Sequence, residues 1–187
     1  MAFTLFTRRP ASVAPTEEPV PASLPEIGET WDPEGVTVVE RYYNQVHAVV
    51  LVYKAQDRYV VACLGCHFAK AVDRSKGYTW LTFEDAAEVA NAHATTCRAM
   101  SRRVPARPDD DTVRERLRKW VGESRNRVKD VELRIEALDP ARLTLQRTDD
   151  WIEARLRELA DAEPDLLLVK SWNSGRLRFF AQAASRS

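Results

Sequence analysis

Cys63-Leu64-Gly65-Cys66 is the stretch that organises this chain of 187 residues, because two thiols three positions apart can hold one metal ion from a tight turn. The third and last cysteine, Cys97, follows His93 by four positions. Residues so spaced lie on one face of a helix, one turn apart, and can complete a tetrahedral site. Thiolate sulfur combined with imidazole nitrogen favours zinc over other common ions. The sequence therefore predicts one structural zinc ion bound by Cys63, Cys66, His93 and Cys97.

The residues before and after the cysteine pair predict two β-hairpins. Residues 46–53 are rich in β-branched side chains and predict a strand, and residues 58–62 predict a second strand that leads directly into Cys63. Gly65 leaves room for the backbone to curl so that its N–H groups face sulfur. Residues 67–72 and 78–81 predict the second hairpin.

A helix is predicted to follow the second hairpin and to reach towards Met100. Thr82 is expected to be its N-cap, and Asp85 lies in an acidic first turn. His93 and Cys97 lie on the apolar face of this helix, where both can point towards the cysteine pair.

The residues of this motif have four other interpretations. His67 follows Cys66 directly and is an alternative fourth ligand, and residues 63–67 also match the C-x-x-C-H pattern of haem attachment. Cys63 and Cys66 as a redox pair would define a redox or metal-dependent enzyme, although such pairs usually open a helix whose dipole lowers the thiol pKa. Cys63 and Cys97 can also be small buried hydrophobes without a ligand role.

Residues 63–97 resemble zinc-finger-like proteins with a Cys-Cys-His-Cys ligand set, of the kind carried by actinobacterial mobile elements. The resemblance covers about a fifth of the chain, and it implies a zinc-stabilised module. Association with DNA or with a DNA-processing complex is expected through a basic stretch that follows this module. The ligand pairs are separated by 26 residues here, whereas about 12 separate them in the common DNA-reading finger.

The composition divides the chain into four regions. Residues 1–35 contain six prolines and six acids and are predicted to be a disordered arm. Residues 36–100 form the predicted zinc-binding β/α module, and residues 101–111 are a linker with basic and acidic residues. Residues 112–187 are predicted to be helical and to end in a hairpin. The expected fold class is α+β, in which the zinc-stabilised β-hairpin/helix module precedes a long helix and a C-terminal helix plus β-hairpin.

The apolar residues between 112 and 138 have a heptad spacing that predicts one long helix. Ser124 is the polar exception in the repeat. A seam with β-branched residues at position a favours a two-stranded coiled coil, which would let the chain associate with itself or with a protein partner. A helical hairpin within one chain explains the same pattern. The predicted seam consists of Leu117, Val121, Val128, Val131, Ile135 and Leu138.

Positive charge is concentrated in one region of an otherwise neutral chain. Lysine plus arginine and aspartate plus glutamate both number 28, so the whole chain has no preference for nucleic acid. Residues 98–129, however, contain eleven basic residues and five acids. This stretch predicts contacts with the phosphates of a nucleic acid but not with its bases. Alternatively, these charges lie on an ordinary solvent-exposed surface that binds no nucleic acid. The candidate residues are Arg98, Arg102, Arg103, Arg107, Arg114 and Arg118.

The C-terminal region predicts a helix over residues 148–162 and a hairpin over residues 166–180. The combination resembles a winged helix with Arg176 and Arg178 on its wing, so a winged-helix DNA-binding regulator is an alternative function. The helix that would enter DNA contains five acids and two arginines, and this net negative charge would repel the phosphates of DNA.

Several classes of function lack their sequence signals. The chain has no glycine-rich phosphate loop and no G-x-S-x-G motif, so no small-molecule substrate is implied. No apolar run reaches the roughly 18–20 residues of a membrane span, and the first ten residues do not form a signal peptide. We therefore expect a cytoplasmic, non-catalytic, zinc-binding protein that works through interaction or regulation.

Overall fold

The computed structural model describes residues 27–75, 77–126, 128–171 and 177–183. These ranges contain helices and antiparallel sheets, which confirms the α+β class. None of their helices combines the length and the apolar character needed to cross a bilayer.

The N-terminal half is a four-stranded antiparallel sheet with one helix against it. The sheet order is β1-β2-β3-β4, and a two-stranded ladder, β5 with β6, precedes the helix α1. These elements are β1 (Thr37–Tyr43), β2 (Val49–Ala55), β3 (Arg58–Cys63), β4 (Ala69–Lys70), β5 (Val72–Asp73), β6 (Thr79–Trp80) and α1 (Phe83–Thr96).

Strand β2 lies at the centre of this half and is covered on both faces. Val50 and Val52 pack in the cluster that contains α1, whereas Leu51 and Tyr53 face a second cluster that includes Trp31. A strand buried on both faces needs a continuous apolar sequence. This explains why β2 was predictable from sequence.

Helix α1 begins as the sequence predicted. The Thr82 hydroxyl accepts a hydrogen bond from the Asp85 N–H at 3.1 Å, and the Asp85 carboxylate accepts one from the Thr82 N–H at 3.3 Å. This reciprocal capping box satisfies two backbone donors. The predicted extension towards Met100 is wrong, because the helix ends at Thr96 and Cys97 is already extended.

The C-terminal half alternates helices with a second antiparallel sheet. Its order is α2, β7, a 3₁₀ segment, α3, α4, β8 and β9, and the first strand pairs with the last in a sheet of order β7-β9-β8. The elements are α2 (Asp110–Glu123), β7 (Val131–Leu133), the 3₁₀ segment (Ile135–Ala141), α3 (Arg142–Leu145), α4 (Asp149–Ala162), β8 (Leu167–Ser171) and β9 (Leu177–Ala181). The predicted turn, with Arg176, lies outside the described residues, and Arg178 in β9 is paired with Glu132.

The long helix and its coiled-coil seam are corrected by the structure. Helix α2 ends at Glu123, where the Ser124 hydroxyl donates to the carbonyl of Trp120 at 2.8 Å and closes the last turn. The six seam residues therefore do not share one helix. Leu117 and Val121 are buried in the core of their own chain, and Val128 is 81% exposed in a loop. The remaining three lie in β7 and in the 3₁₀ segment, namely Val131, Ile135 and Leu138.

A buried ionic cluster joins the two halves. Asp139 and Arg142 are buried in the C-terminal half, and Arg58 of β3 donates to the Asp139 carboxylate at 2.6 Å. The Tyr53 hydroxyl of β2 donates to the Asp139 carbonyl at 2.7 Å. Burial and the charge of Asp139 raise the pKa of Tyr53, so the phenol stays protonated and keeps donating. Arg142 also pairs with Asp149.

Part of the predicted N-terminal arm lies outside the described residues, which begin at residue 27. Residues 27–35 run along the N-terminal sheet. The Arg41 side chain of β1 donates to the carbonyls of Gly28 and Trp31, at 3.2 and 2.8 Å. Trp31 also packs against the apolar cluster on that face.

Candidate metal centre

The structure brings the four predicted ligands together. The Sγ atoms of Cys63, Cys66 and Cys97 and a ring nitrogen of His93 all lie within 4.8 Å of one another. Atoms bound to one tetrahedral zinc at the usual bond lengths are about 3.5–3.8 Å apart. The Sγ of Cys66 is 3.3 Å from Nε2 of His93. The donor set therefore fits a single tetrahedral ion, and shifts of about 1 Å or less would bring the ligand atoms to that spacing.

Two chain segments present these ligands. Strand β3 ends at Cys63, whose N–H donates to the carbonyl of Phe68 at 2.9 Å and so closes the loop around Cys66. The helix α1 presents His93, and the N–H of Cys97 donates to the His93 carbonyl at 2.8 Å as the helix ends. The site therefore ties the end of a strand to the end of a helix.

Backbone donors face the sulfur atoms. The N–H of Gly65 lies 3.3 Å from Sγ of Cys63, and the N–H of Ala99 lies 3.5 Å from Sγ of Cys97. Such hydrogen bonds stabilise thiolates. Although burial acts in the opposite direction, the bonds from Ala99 and other neighbours lower the pKa of Cys97.

Burial shifts the pKa values of two other ligands, Cys63 and His93. Burial raises the pKa of the Cys63 thiol to about 11, so this thiol is largely protonated at neutral pH unless a cation binds beside it. Burial lowers the pKa of His93, which keeps the imidazole neutral and able to coordinate. The ring of Phe68 stacks on His93 with centroids 4.2 Å apart and fixes its plane.

The alternative ligand, His67, is not part of the group. Among the described residues, the cluster contains His93 and not His67. Nε2 of His67 instead lies 2.8 Å from the guanidinium of Arg102. The Cys63–Cys66 pair follows a strand and precedes a loop, so it lacks the helix N-terminus that usually activates a redox pair.

Sequence reasoning missed Asn44, which supports the site from the turn between β1 and β2. Its side-chain oxygen accepts from the N–H groups of Val46 and Ala48, and its amide donates to the carbonyl of Ala99 at 2.8 Å. Asn44 therefore holds the segment that follows Cys97 against the sheet. Its partner is 55 positions away, so no local pattern indicated this role.

The six predicted nucleic-acid contacts fall into two sets. Three are paired with carboxylates of the same chain, namely Arg107 with Glu34, Arg114 with Asp111 and Arg118 with Glu163. In the part of the chain that the structure describes, Arg98, Arg102 and Arg103 form no ion pair with a carboxylate. Only these last three retain an uncompensated charge beside the metal centre.

Comparison with known proteins gives no match: no family model, no curated protein and no solved structure aligns with the chain. The resemblance to zinc-finger-like proteins of mobile elements therefore rests on the ligand set alone.

Replacing Gly65 with alanine is expected to destabilise the metal loop. A Cβ atom at this position would lie 2.9 Å from Cβ of Ala48, 3.0 Å from Cβ of Ala99 and 3.1 Å from the carbonyl oxygen of Met100. Overpacking of this kind costs about 1–3 kcal/mol. Urea unfolding of the metal-loaded protein measures the loss.

Gly122→Ala is the matched control for this substitution. A Cβ there meets nothing within 4 Å, and the residue lies in α2. Alanine in a helix is favoured over glycine by up to about 1 kcal/mol, so the control is expected to be neutral or more stable. Equal stability of Gly65→Ala and the wild type would contradict the close packing around the loop.

Proposed function

We propose that the protein is a non-catalytic zinc-binding protein. Its metal centre stabilises the conformation of a surface that contacts a partner. The observation that carries the proposal is the convergence of three thiols and one imidazole, from two separate segments, within 4.8 Å. Cys63, Cys66, His93 and Cys97 would hold the ion. In such a site zinc supplies folding free energy rather than reactivity.

The completeness of the ligand set supports a structural role for the ion. A catalytic zinc keeps one coordination position open for water, whereas four protein ligands fill a tetrahedral site. The centre also lies between the end of β3 and the end of α1, where cross-linking two elements stabilises the small sheet. We therefore favour a structural centre over a redox or metal-dependent enzyme that uses Cys63 and Cys66.

The C-terminal half supports a role in interaction. Its order of helix, strand, three helical segments and a paired hairpin, with the first strand against the last, resembles that of a winged helix. Its helix α4 carries Asp150, Glu158 and Asp161 on exposed positions. Phosphates would be repelled there, so we favour contact with protein over reading of DNA by this helix.

Metal removal and replacement test the structural role. The apoprotein, prepared with a chelator under reducing conditions, is expected to lose order in the N-terminal half and to regain it with zinc, as followed by circular dichroism. One equivalent of Co²⁺ is expected to give the intense visible absorption of a tetrahedral thiolate site. A redox enzyme would instead stay folded without metal and form a reversible disulfide between Cys63 and Cys66.

A further inference from the structure

We propose that residues 43–47, at the end of β1 and in the turn after it, and the segment at residues 98–103 together bind an acidic protein segment that carries apolar side chains. This inference deepens the proposed function, because it names the contact surface and the chemistry of its partner, and it rests on that function. We call this surface the basic-apolar patch; its members are Tyr43, Val46, Arg98, Met100, Arg102 and Arg103.

Two hydrogen bonds from side chains to backbone carbonyls bring the two segments together. The side chain of Asn44 donates to the carbonyl of Ala99 at 2.8 Å, and the hydroxyl of Ser101 donates to the carbonyl of His47. The turn and the segment that follows Cys97 therefore form one continuous surface beside the metal centre.

The patch exposes large apolar groups. Met100 is 76% exposed, Tyr43 is 48% exposed and Val46 is 37% exposed. These are three of the seven large hydrophobic residues exposed in the described part of the chain, and each lies within three residues of Asn44 or Ser101, whose side chains join the two segments. Such a grouping marks an interaction site more often than scattered single residues do.

The charges on the patch are positive and uncompensated. Arg98 donates to the carbonyls of Thr95 and Cys97, and Arg102 lies against His67. In the described ranges, Arg103 makes neither a hydrogen bond nor an ion pair. Three cations within six residues, none neutralised by a described carboxylate, select an anionic partner.

An acidic protein segment fits this surface better than a nucleic acid does. Three cations can neutralise about three phosphates, which gives weak, salt-sensitive binding. Methionine, tyrosine and arginine are the side chains enriched in protein interfaces, where apolar contact and charge complementarity act together. An exposed methionine between arginines therefore matches acidic residues interleaved with leucine, phenylalanine or tryptophan.

The metal centre pre-organises the patch. Cys97 directly precedes the patch segment, and the N–H of Ala99 faces its sulfur. A bound ion that fixes Cys97 also fixes the start of this segment, which lowers the entropy lost when a partner binds.

Selection of peptides from a random dodecapeptide display library tests the inference. The zinc-loaded full chain is the bait, beside the double variant Met100→Asp/Arg102→Glu. The control, Val128→Asp/Lys129→Glu, makes the same change of charge in the exposed loop after α2. The wild type and the control are expected to enrich the same acidic, aromatic or leucine-rich peptides. A synthetic peptide of that consensus is expected to bind the patch variant at least tenfold more weakly.

Three results would overturn the inference: no enriched peptide class, enriched peptides without acidic residues, or equal binding by wild type and patch variant. Parallel titrations with a duplex DNA oligonucleotide and with phosphatidylglycerol vesicles test the rival partners. If no peptide class is enriched, and the wild type binds DNA or vesicles while the patch variant does not, the inference is also contradicted. Zinc content is measured on every bait. Failure with full zinc occupancy leaves the proposed function standing, whereas a wild type without zinc overturns the proposed function itself.

Discussion

Replacing Cys63 with serine is expected to release the metal and to unfold the N-terminal half of the protein. Cys63 is the buried ligand at the end of β3, and its loss leaves three ligands and a polar hydroxyl in an apolar site. We expect a loss of more than about 4 kcal/mol, which is a fraction of the about 10–16 kcal/mol that structural zinc contributes in zinc-finger peptides. Thermal unfolding with and without added zinc measures this loss.

His67→Asn is the control for the cysteine substitution, because it changes the same loop without touching the ligand group. The backbone φ of His67 is +62°, a conformation that asparagine tolerates. We expect this variant to retain its metal and nearly all of its stability. A Cys63→Ser protein that melts like the wild type would mean that the cysteines are ordinary core residues.

Replacing Asp139 with asparagine is expected to destabilise the whole chain. The substitution keeps the shape of the side chain and removes the charge that faces Arg58 and the buried Arg142. Removing one partner of a buried ion pair costs about 3–5 kcal/mol, because the other charge stays buried without full compensation. Chemical denaturation at neutral pH, followed by tryptophan fluorescence and circular dichroism, gives the free energy of unfolding.

Glu123→Gln is the matched control for the buried pair. Glu123 pairs with Lys119 at 3.7 Å on the exposed face of α2. Exposed pairs of this kind contribute less than about 1 kcal/mol, so the control is expected to unfold almost as the wild type does. Equal and small effects of both substitutions would show that Asp139 does not join the two halves.

The candidate ligand group was predictable because its signals are local. Cys63 and Cys66 are three positions apart, His93 and Cys97 are four positions apart, and the strand that leads into the loop is apolar from Tyr59 to Ala62. The N-cap at Thr82 could also be predicted from sequence, because capping by a hydroxyl depends on residues three positions apart.

The single helix over residues 112–138 was wrongly predicted because the apolar residues of α2 and those of the elements that follow it continue one heptad spacing. Leu117 and Val121 belong to α2, whereas Val131 lies in a strand of three residues. That strand exists because it pairs with β9, where Val131 is opposite Ala181. A pairing across fifty positions of sequence is invisible to a local period, and this is also why the role of Asp139 could not be predicted.

The ratio of zinc to protein in the purified, untagged chain, measured by elemental analysis beside Cys63→Ser, tests the central claim most directly. We expect close to one zinc per wild-type chain and a strongly reduced ratio in the variant. A wild-type protein that is fully folded under reducing conditions and contains no metal would contradict a structural zinc centre.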